Sequence, residues 1–343
     1  MSIKYRSLTA FTAANPLIPT GGVVGVNKSK ILKELQRASP QNVPDFTVIS
    51  KETTQARRLS DALNFVSHCA QGYPVVVKPD DGQRGESVVI ARNEDQLRGA
   101  LLGTQHDIIV QKYARGEEFG VFFIKEPGKK GFIFSITHKV RPTVTGDGER
   151  SLEQLILDDE RANLMARFLL DKHADELNTT PANGEKYRIV DLGTHCRGAL
   201  FKDGNKYKTP ALEEAVDKIL DRSKGLYFGR FDICVPNIDQ FMAGKNLQIL
   251  EMNGVTSEAT HIYDPDFSLI EGWKVLCQQW GHAFEVGMRN MELGAQTTPL
   301  REIINRRRAH VKSLQDIEQT TKIRLKNGHA RYFLYSRSYF RGQ

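Results

Sequence analysis

Gly229-Arg230-Phe231-Asp232-Ile233-Cys234-Val235 and Gln248-Ile249-Leu250-Glu251-Met252-Asn253 are the two stretches on which the fold turns. Both alternate with the period of a β-strand. In the first, Arg230 and Asp232 share one face while Phe231, Ile233 and Val235 share the other; in the second, Glu251 and Asn253 oppose Leu250 and Met252. The apolar faces bury, so the charged faces look into a cleft. Paired as neighbours, the strands bring Asp232, Glu251 and Asn253 together as an all-oxygen set suited to a hard cation such as Mg²⁺. Arg230 beside them supplies a fixed positive charge. Either strand alone reads more readily as a hairpin carrying a surface ion pair than as a site.

Working outward, Lys78-Pro79-Asp80-Asp81-Gly82-Gln83-Arg84-Gly85-Glu86-Ser87 lies between two apolar strand candidates, residues 74–77 and 87–91. Glycines let backbone amides approach phosphate oxygens, and a lysine at a strand end reaches the same phosphates as a point charge. The P-loop order of Gly-Lys-Ser/Thr opening a helix is absent. A third stretch runs Ile108-Ile109-Val110-Gln111-Lys112-Tyr113 into Gly116-Glu117-Glu118-Phe119: a strand, a hinge and a new strand opened by a carboxylate. Backbone groups at such a hinge read a base edge, and the acid bonds ribose hydroxyls.

The remaining pattern is α+β. Ile31, Leu32 and Leu35 fall at helical spacing after Lys28, as do Leu59, Leu63 and Val66. Helices are expected after Asn93, after Ser151, over 210–222 and over 268–291, and strands at 46–49, 118–124 and 131–139. The divisions expected are an irregular lead-in (1–27), a helical linker part (28–72), a small subdomain (73–128), a large subdomain carrying the metal strands (129–291) and a basic extension (292–343).

Composition bounds the partners. The 343 residues are 40% apolar and 26% charged, which excludes a disordered chain. The net charge of +7 is uneven: residues 301–343 hold eleven basic and three acidic groups, leaving the first 300 residues at −1. The body is therefore near neutral, and the tail is where an acidic protein, a carrier or a second protomer would engage; nucleic acid is not favoured. Residues 322–335 read as a hairpin about an Asn-Gly turn. Cys69, Cys196, Cys234 and Cys277 form no C-x-x-C pair and read as reduced thiols, which points to the cytoplasm. No apolar run is long enough for a transmembrane segment.

Taken in order, these stretches resemble the ATP-grasp superfamily over roughly residues 26–285. Asn27-Lys28-Ser29-Lys30-Ile31-Leu32 is similar to the Asp-Lys start of D-alanine:D-alanine ligases, with Asn27 for the usual Asp. Lys78-Pro79-x-Asp81-Gly82-x-x-Gly85 looks like the phosphate loop of cyanophycin synthetases, and Gly229-Arg230-Phe231-Asp232 with Leu250-Glu251-Met252-Asn253 matches the R-x-D…E-x-N metal strands. Val144-Thr145-Gly146-Asp147-Gly148, with Leu152 and Leu155-Ile156, is similar to the V-x-G-D-G…L-I segment of cyanophycin synthetases and related ligases.

The resemblance implies two α+β subdomains gripping ATP between them. It implies ATP held by Lys28, Lys78, Gly82, Arg84, Gly85, Ser87, Gln111, Lys112, Tyr113 and Glu118, and one or two Mg²⁺ ions (Mn²⁺ being an alternative) on Asp232, Glu251 and Asn253. Arg230, with Lys139 or Arg141 at the terminal phosphate, would serve catalysis. Arg197, Thr256 and Ser257 would contact substrate.

The implied activity is ATP-dependent joining of a small-molecule carboxylate to an amine through an acylphosphate, with residues 80–87 and 139–150 as lids. Alternatives are a phosphotransferase, or a nucleotide-dependent binding module engaging an anionic partner through the basic tail. Gly254-Val255-Thr256-Ser257 lacks the Thr-x-Pro-Gly run of D-alanine:D-alanine ligases, which counts against a D-alanine dipeptide product. Only 27 residues precede Lys28, so the resemblance implies a shortened N-terminal region. Substrate would then enter an open cleft, come from a partner or second protomer, or be covered by residues 301–343.

Overall fold

The computed structural model describes residues 1–81, 88–191, 193–194 and 198–311. Gly82, Arg84, Gly85, Ser87 and Arg197 fall outside these, as do His195, Cys196, most of the 80–87 loop and the 322–335 stretch.

Two antiparallel sheets organise the chain. After α1 (Lys28–Ala38), β1 (Phe46–Ile49) and α2 (Gln55–His68) come β2 (Val75–Pro79), β3 (Val89–Ala91), α3 (Glu94–Leu101) and β4 (Ile108–Lys112). The strands form a four-stranded sheet in the order β1-β4-β2-β3. Its apolar face packs Val75, Val77, Ile108 and Val110 on Phe65 and Val66 of α2 and Leu97 and Leu101 of α3. Each helix starts where the sequence supplies a cap: Asn27 accepts from the Lys30 amide, Thr54 from Arg57 and Asn93 from Gln96.

The second lobe is built on β5 (Glu117–Ile124), β6 (Phe132–Val140), β7 (Thr143–Thr145), α4 (Leu152–Asp158), α5 (Glu160–Asn163), α6 (Ala166–Lys172), β8 (Lys186–Arg188) and β9 (Leu200–Asp203). It continues through α7 (Pro210–Asp221), β10 (Phe228–Val235), α8 (Ile238–Met242), β11 (Gln248–Asn253) and α9 (Leu269–Glu292). Its five-stranded sheet has the order β11-β10-β5-β6-β9, and β7 pairs only with β8. The sheets thus divide the chain at points other than residues 72 and 128: β1 and α2 join β2–β4, and β5 opens the larger sheet.

One face of this sheet is apolar throughout. Phe119, Val121, Phe231 and Ile233 pack against Ile31 and Leu35 of α1, Leu212 and Val216 of α7 and Phe241 of α8. The other face is split. At one end Phe122, Ile124 and Phe228 are covered by α9 and by Ala14 of the N-terminal segment. At the other end Glu118, Lys139, Arg230 and Asp232 project toward the cleft between the lobes. That division explains why β5 reads as a nearly continuous apolar run instead of a simple alternation.

Residues 1–27, without periodicity, are nonetheless built into this lobe. The amide of Asn15, fully buried, donates to the carbonyls of Gly21 (3.2 Å) and Phe228 (2.7 Å) and accepts from the amides of Tyr227 (2.9 Å) and Phe228 (3.0 Å). Asn290 of α9 donates to the Ala13 carbonyl (2.9 Å). The Val144, Leu152, Leu155 and Ile156 set, expected from its spacing, is a small core with Leu169 and Ile189, so that motif's apolar positions hold α4 against α6 and β8. The helices α5 and α6 and the edge strand β9 were not expected from sequence. No described helix is long and apolar enough to cross a membrane.

Candidate active site

β10 and β11 pair in the expected register, Arg230 opposite Asn253 and Asp232 opposite Glu251, which sets all four side chains on the cleft face. Past Glu251 the register slips so that Ile233 meets Ile249, leaving Leu250 bulged out of the ladder. The ammonium of Lys78, arriving from β2 of the other lobe, donates to the Leu250 carbonyl (2.9 Å) and to Gln111 Oε1 (2.8 Å). The bulge thus supplies an acceptor that joins the lobes at the expected phosphate lysine. Burial pushes the Lys78 ammonium down to about 8, against the attraction of Glu251 and with the neighbouring Lys28 adding to the effect.

Lys28 opens α1 beside the end of β2. Its backbone amide donates to the Asp80 carbonyl (3.0 Å), the next amide, Ser29, to Asp80 Oδ1 (2.6 Å), and the Ser29 hydroxyl to Asp80 Oδ2 (2.8 Å). A carboxylate at a helix N-terminus is favourable, and here it fixes where both lysines stand. Asp80 had no assigned role in the sequence reading. Its place in the Lys-Pro-Asp-Asp run, one residue past the strand, was the available signal.

Across the large sheet runs a chain of alternating charge. Arg230 Nε lies 3.3 Å from Asp232 Oδ1, Lys139 Nζ 3.0 Å from Asp232 Oδ2 and 2.7 Å from Glu118 Oε1, and Arg141 Nη2 3.3 Å from Glu118 Oε2. Glu118 and Lys139 are direct cross-strand partners on β5 and β6. Burial alone would raise Asp232, yet Lys139 and Arg230 hold it below the usual carboxylate range. Burial alone would likewise lower Lys139, but Asp232 and Glu118 hold it above the usual ammonium value. Arg230 also donates to the Glu258 carbonyl (3.0 Å).

The hinge follows β4. Lys112 and Tyr113, with Ala114, Arg115, Cys234 and Gln248, line a cavity of about 460 Å³ that Pro40, Gln41, Val43, Pro44 and Asp45 also border. Its size suits a small organic ligand. Burial pushes the Cys234 thiol up to about 11, so it stays protonated and takes no nucleophilic role. Cys69, Cys234 and Cys277 are free thiols.

Thr256 and Ser257 fasten the loop after β11. Thr256 donates to the Gly22 carbonyl (2.9 Å), and Ser257 to that of Asn253 (3.1 Å). Here Gly22 and Gly254 touch: a Cβ on Gly22 would lie 2.7 Å from the Gly254 Cα. The N-terminal segment therefore runs from the metal-strand end at Gly254 to the phosphate-lysine end at Asp80, along one mouth of the cleft.

The residues fit the cation expected on them. Asp232, Glu251 and Asn253 form an oxygen-only set on one face, and the Glu251 carboxylate and Asn253 amide are in no hydrogen bond or ion pair with other described residues. Among the described residues no group of three His, Cys, Asp or Glu is arranged for a metal. The set is two carboxylates and an amide, which suits Mg²⁺ shared with phosphate oxygens more than an all-protein cage.

Residues 26–122 match the family described as RimK-like ATP-grasp domain. Curated relatives include cyanophycin synthetases of Geminocystis herdmanii, 26% identical over 64% of this chain and 26% of that protein, and of a Synechocystis species, 28% identical over 60% of this chain and 25% of that protein. The chain thus spans about a quarter of the length of those relatives. Among solved structures, D-alanine–D-alanine ligase from Bacillus anthracis superposes with a TM-score of 0.43 at 18% identity, over 77% of this chain and 68% of that one. The chain is α+β, and its residues 26–122, which carry Lys28, Lys78 and the hinge at Lys112 and Tyr113, match a RimK-like ATP-grasp domain.

Proposed function

We propose that the protein is an ATP-dependent carboxylate-amine ligase that forms an amide bond through an acylphosphate, releasing ADP and phosphate. The observation that carries this reading is the meeting of two lobes. Lys78 from β2 of the smaller lobe, with Lys28 at the start of α1 beside it, meets the cleft face of the larger sheet that carries Arg230, Asp232, Glu251 and Asn253, and the Lys78–Leu250 contact joins the two.

In this reading the purine lies in the hinge cavity beside Lys112 and Tyr113, and Glu118 takes the ribose. Lys28 and Lys78 hold phosphate oxygens as point charges. Asp232, Glu251 and Asn253 would hold Mg²⁺, which neutralises charge on the transferring phosphoryl group. A substrate carboxylate attacks the γ-phosphate in line. The amine then adds to the acyl carbon, and phosphate departs from the tetrahedral intermediate. Arg230, fixed by Asp232 and the Glu258 carbonyl, faces the negative charge that develops in both steps and needs no reorganisation to meet it. The carboxylate and amine are small molecules.

The test is ADP release by purified protein with Mg²⁺ and ATP over a panel of acids and amines. Release that requires both an acid and an amine, with the amide found as product, is expected. A phosphorylated acid with no condensed product would make the protein a phosphotransferase instead, and no release with any pair would refute both.

A further inference from the structure

Around Glu118 the structure holds more hydrogen-bond donors than the protein uses. Arg141, directly after β6, has a side chain only 8% exposed. Its Nη2 meets Glu118, but its Nε and Nη1 groups have no partner among the described residues, and neither has the buried Thr194 hydroxyl. A buried donor left unpaired carries its full desolvation cost. Two on one guanidinium, beside a carboxylate, indicate a partner that the described residues do not supply. Gly193 lies directly against this carboxylate, since a Cβ there would come 2.5 Å from Glu118 Oε2.

The position of Arg141 says which part of a ligand it meets. In the alternating chain of charge, Asp232 marks the metal-strand end. Lys139 and Glu118 stand between it and Arg141. Glu118, which Arg141 touches, is the cross-strand partner of Cys234, and Cys234 and Tyr113 both line the hinge cavity. Lys139, touching Asp232, lies toward the phosphates, and Arg141 toward the nucleoside.

We propose that Arg141 is a specificity residue for the sugar of the bound nucleotide, acting with Glu118 to recognise a ribose hydroxyl; this rests on the nucleotide reading above. A hydroxyl both donates and accepts. The ionised Glu118 only accepts and the Arg141 guanidinium only donates, so a hydroxyl between them satisfies both, whereas a deoxy carbon satisfies neither. The discrimination is chemical and needs no steric exclusion. Hydrogen bonds to charged groups of this kind correspond to about tenfold to hundredfold in affinity.

The experiment titrates ATP, 2′-deoxy-ATP and 3′-deoxy-ATP into the full chain by calorimetry, for the wild type, Arg141→Met and Arg141→Lys. The wild type is expected to prefer ATP over at least one deoxynucleotide by about tenfold or more. Arg141→Met should bind ATP more weakly and that deoxynucleotide nearly as before, so that the preference shrinks to about threefold or less. Arg141→Lys keeps a charge on Glu118 with a single nitrogen and should lie between them; it decides the matter if the Met variant does not fold. An unchanged preference in the folded variants, or no preference in the wild type, overturns the proposal while leaving the nucleotide reading intact. Failure of the wild type to bind ATP at all overturns both.

Discussion

Lys139 and Asp232 meet at 3.0 Å although two strand positions of the sheet separate them, because the strand between, β5, presents Gly120 opposite Asp232 and leaves the face bare there. Lys139 also closes on Glu118, so one buried ammonium serves two carboxylates. Removing it strands negative charge in a desolvated site. Lys139→Met should lower stability by about 3 kcal/mol or more, read as the midpoint of urea unfolding. A loss under about 1 kcal/mol would mean that water reaches the pair and that the burial argument is wrong.

Lys78 gives a pH dependence whose sign follows from its lowered value. With its pKa at about 8, the ammonium loses its proton as pH rises through that value, while in the unfolded chain it would remain protonated up to about 10.5. The cost of burying the charge is therefore felt in full below pH 8 and relieved above it, so this group makes stability rise between the two values. Binding runs the other way. A triphosphate stabilises the charged form, so ATP binding near pH 8 should take up protons, and affinity should fall by at most about tenfold per pH unit above it. Calorimetry in buffers of different ionisation heat measures the uptake. Zero uptake with flat affinity from pH 7 to 9 would remove Lys78 from the phosphate site.

Glu251 makes no ion pair with other described residues, so Glu251→Gln should leave the melting temperature within a few degrees. Turnover should drop by two orders of magnitude or more, on the order of losing a charge that neutralises the transferring phosphoryl group. The dependence of ATP binding on Mg²⁺ concentration should weaken in parallel. Full activity in a folded variant would contradict the metal assignment.

Asn15 ties the N-terminal segment to the start of β10, one residue before Gly229 and two before Arg230. Asn15→Ala takes a partner from four backbone groups, of which the Gly21 carbonyl keeps the Val255 amide, and about 3–5 kcal/mol of stability should go with them. Limited proteolysis should then cut between residues 10 and 25 before it cuts elsewhere in the body. Resistance there equal to that of the wild type would show that the segment is held by other means.

Much of the fold and of the site's composition was legible because its signals are local. Arg230, Asp232, Glu251 and Asn253 share a face through the period of two, and the register of β10 on β11 then brings them together. Asn27, Thr54, Asn93, Ser151 and Ser268 each cap a helix where the spacing put one. The roles of Thr256 and Ser257 were less legible, since a polar side chain after a strand serves a ligand or the backbone equally well; both bond backbone carbonyls here. Residues 1–27 looked like a lead-in because irregular backbone has no period, and what holds them is one buried amide and a glycine contact.

Most strands, helices and caps, α5, α6 and β9 apart, could be read from the sequence along with the order of lysines, hinge and acidic strands, since side-chain alternation and capping depend on neighbours a few positions away. Only the tertiary structure decided which charges touch. Lys139 reaches Asp232, Lys78 reaches the bulged Leu250 carbonyl, and Arg141 reaches Glu118 with two donors unpaired among the described residues, across 93, 172 and 23 positions of chain. Those contacts follow from sheet order and from the loss of water, and neither is a property of any short stretch.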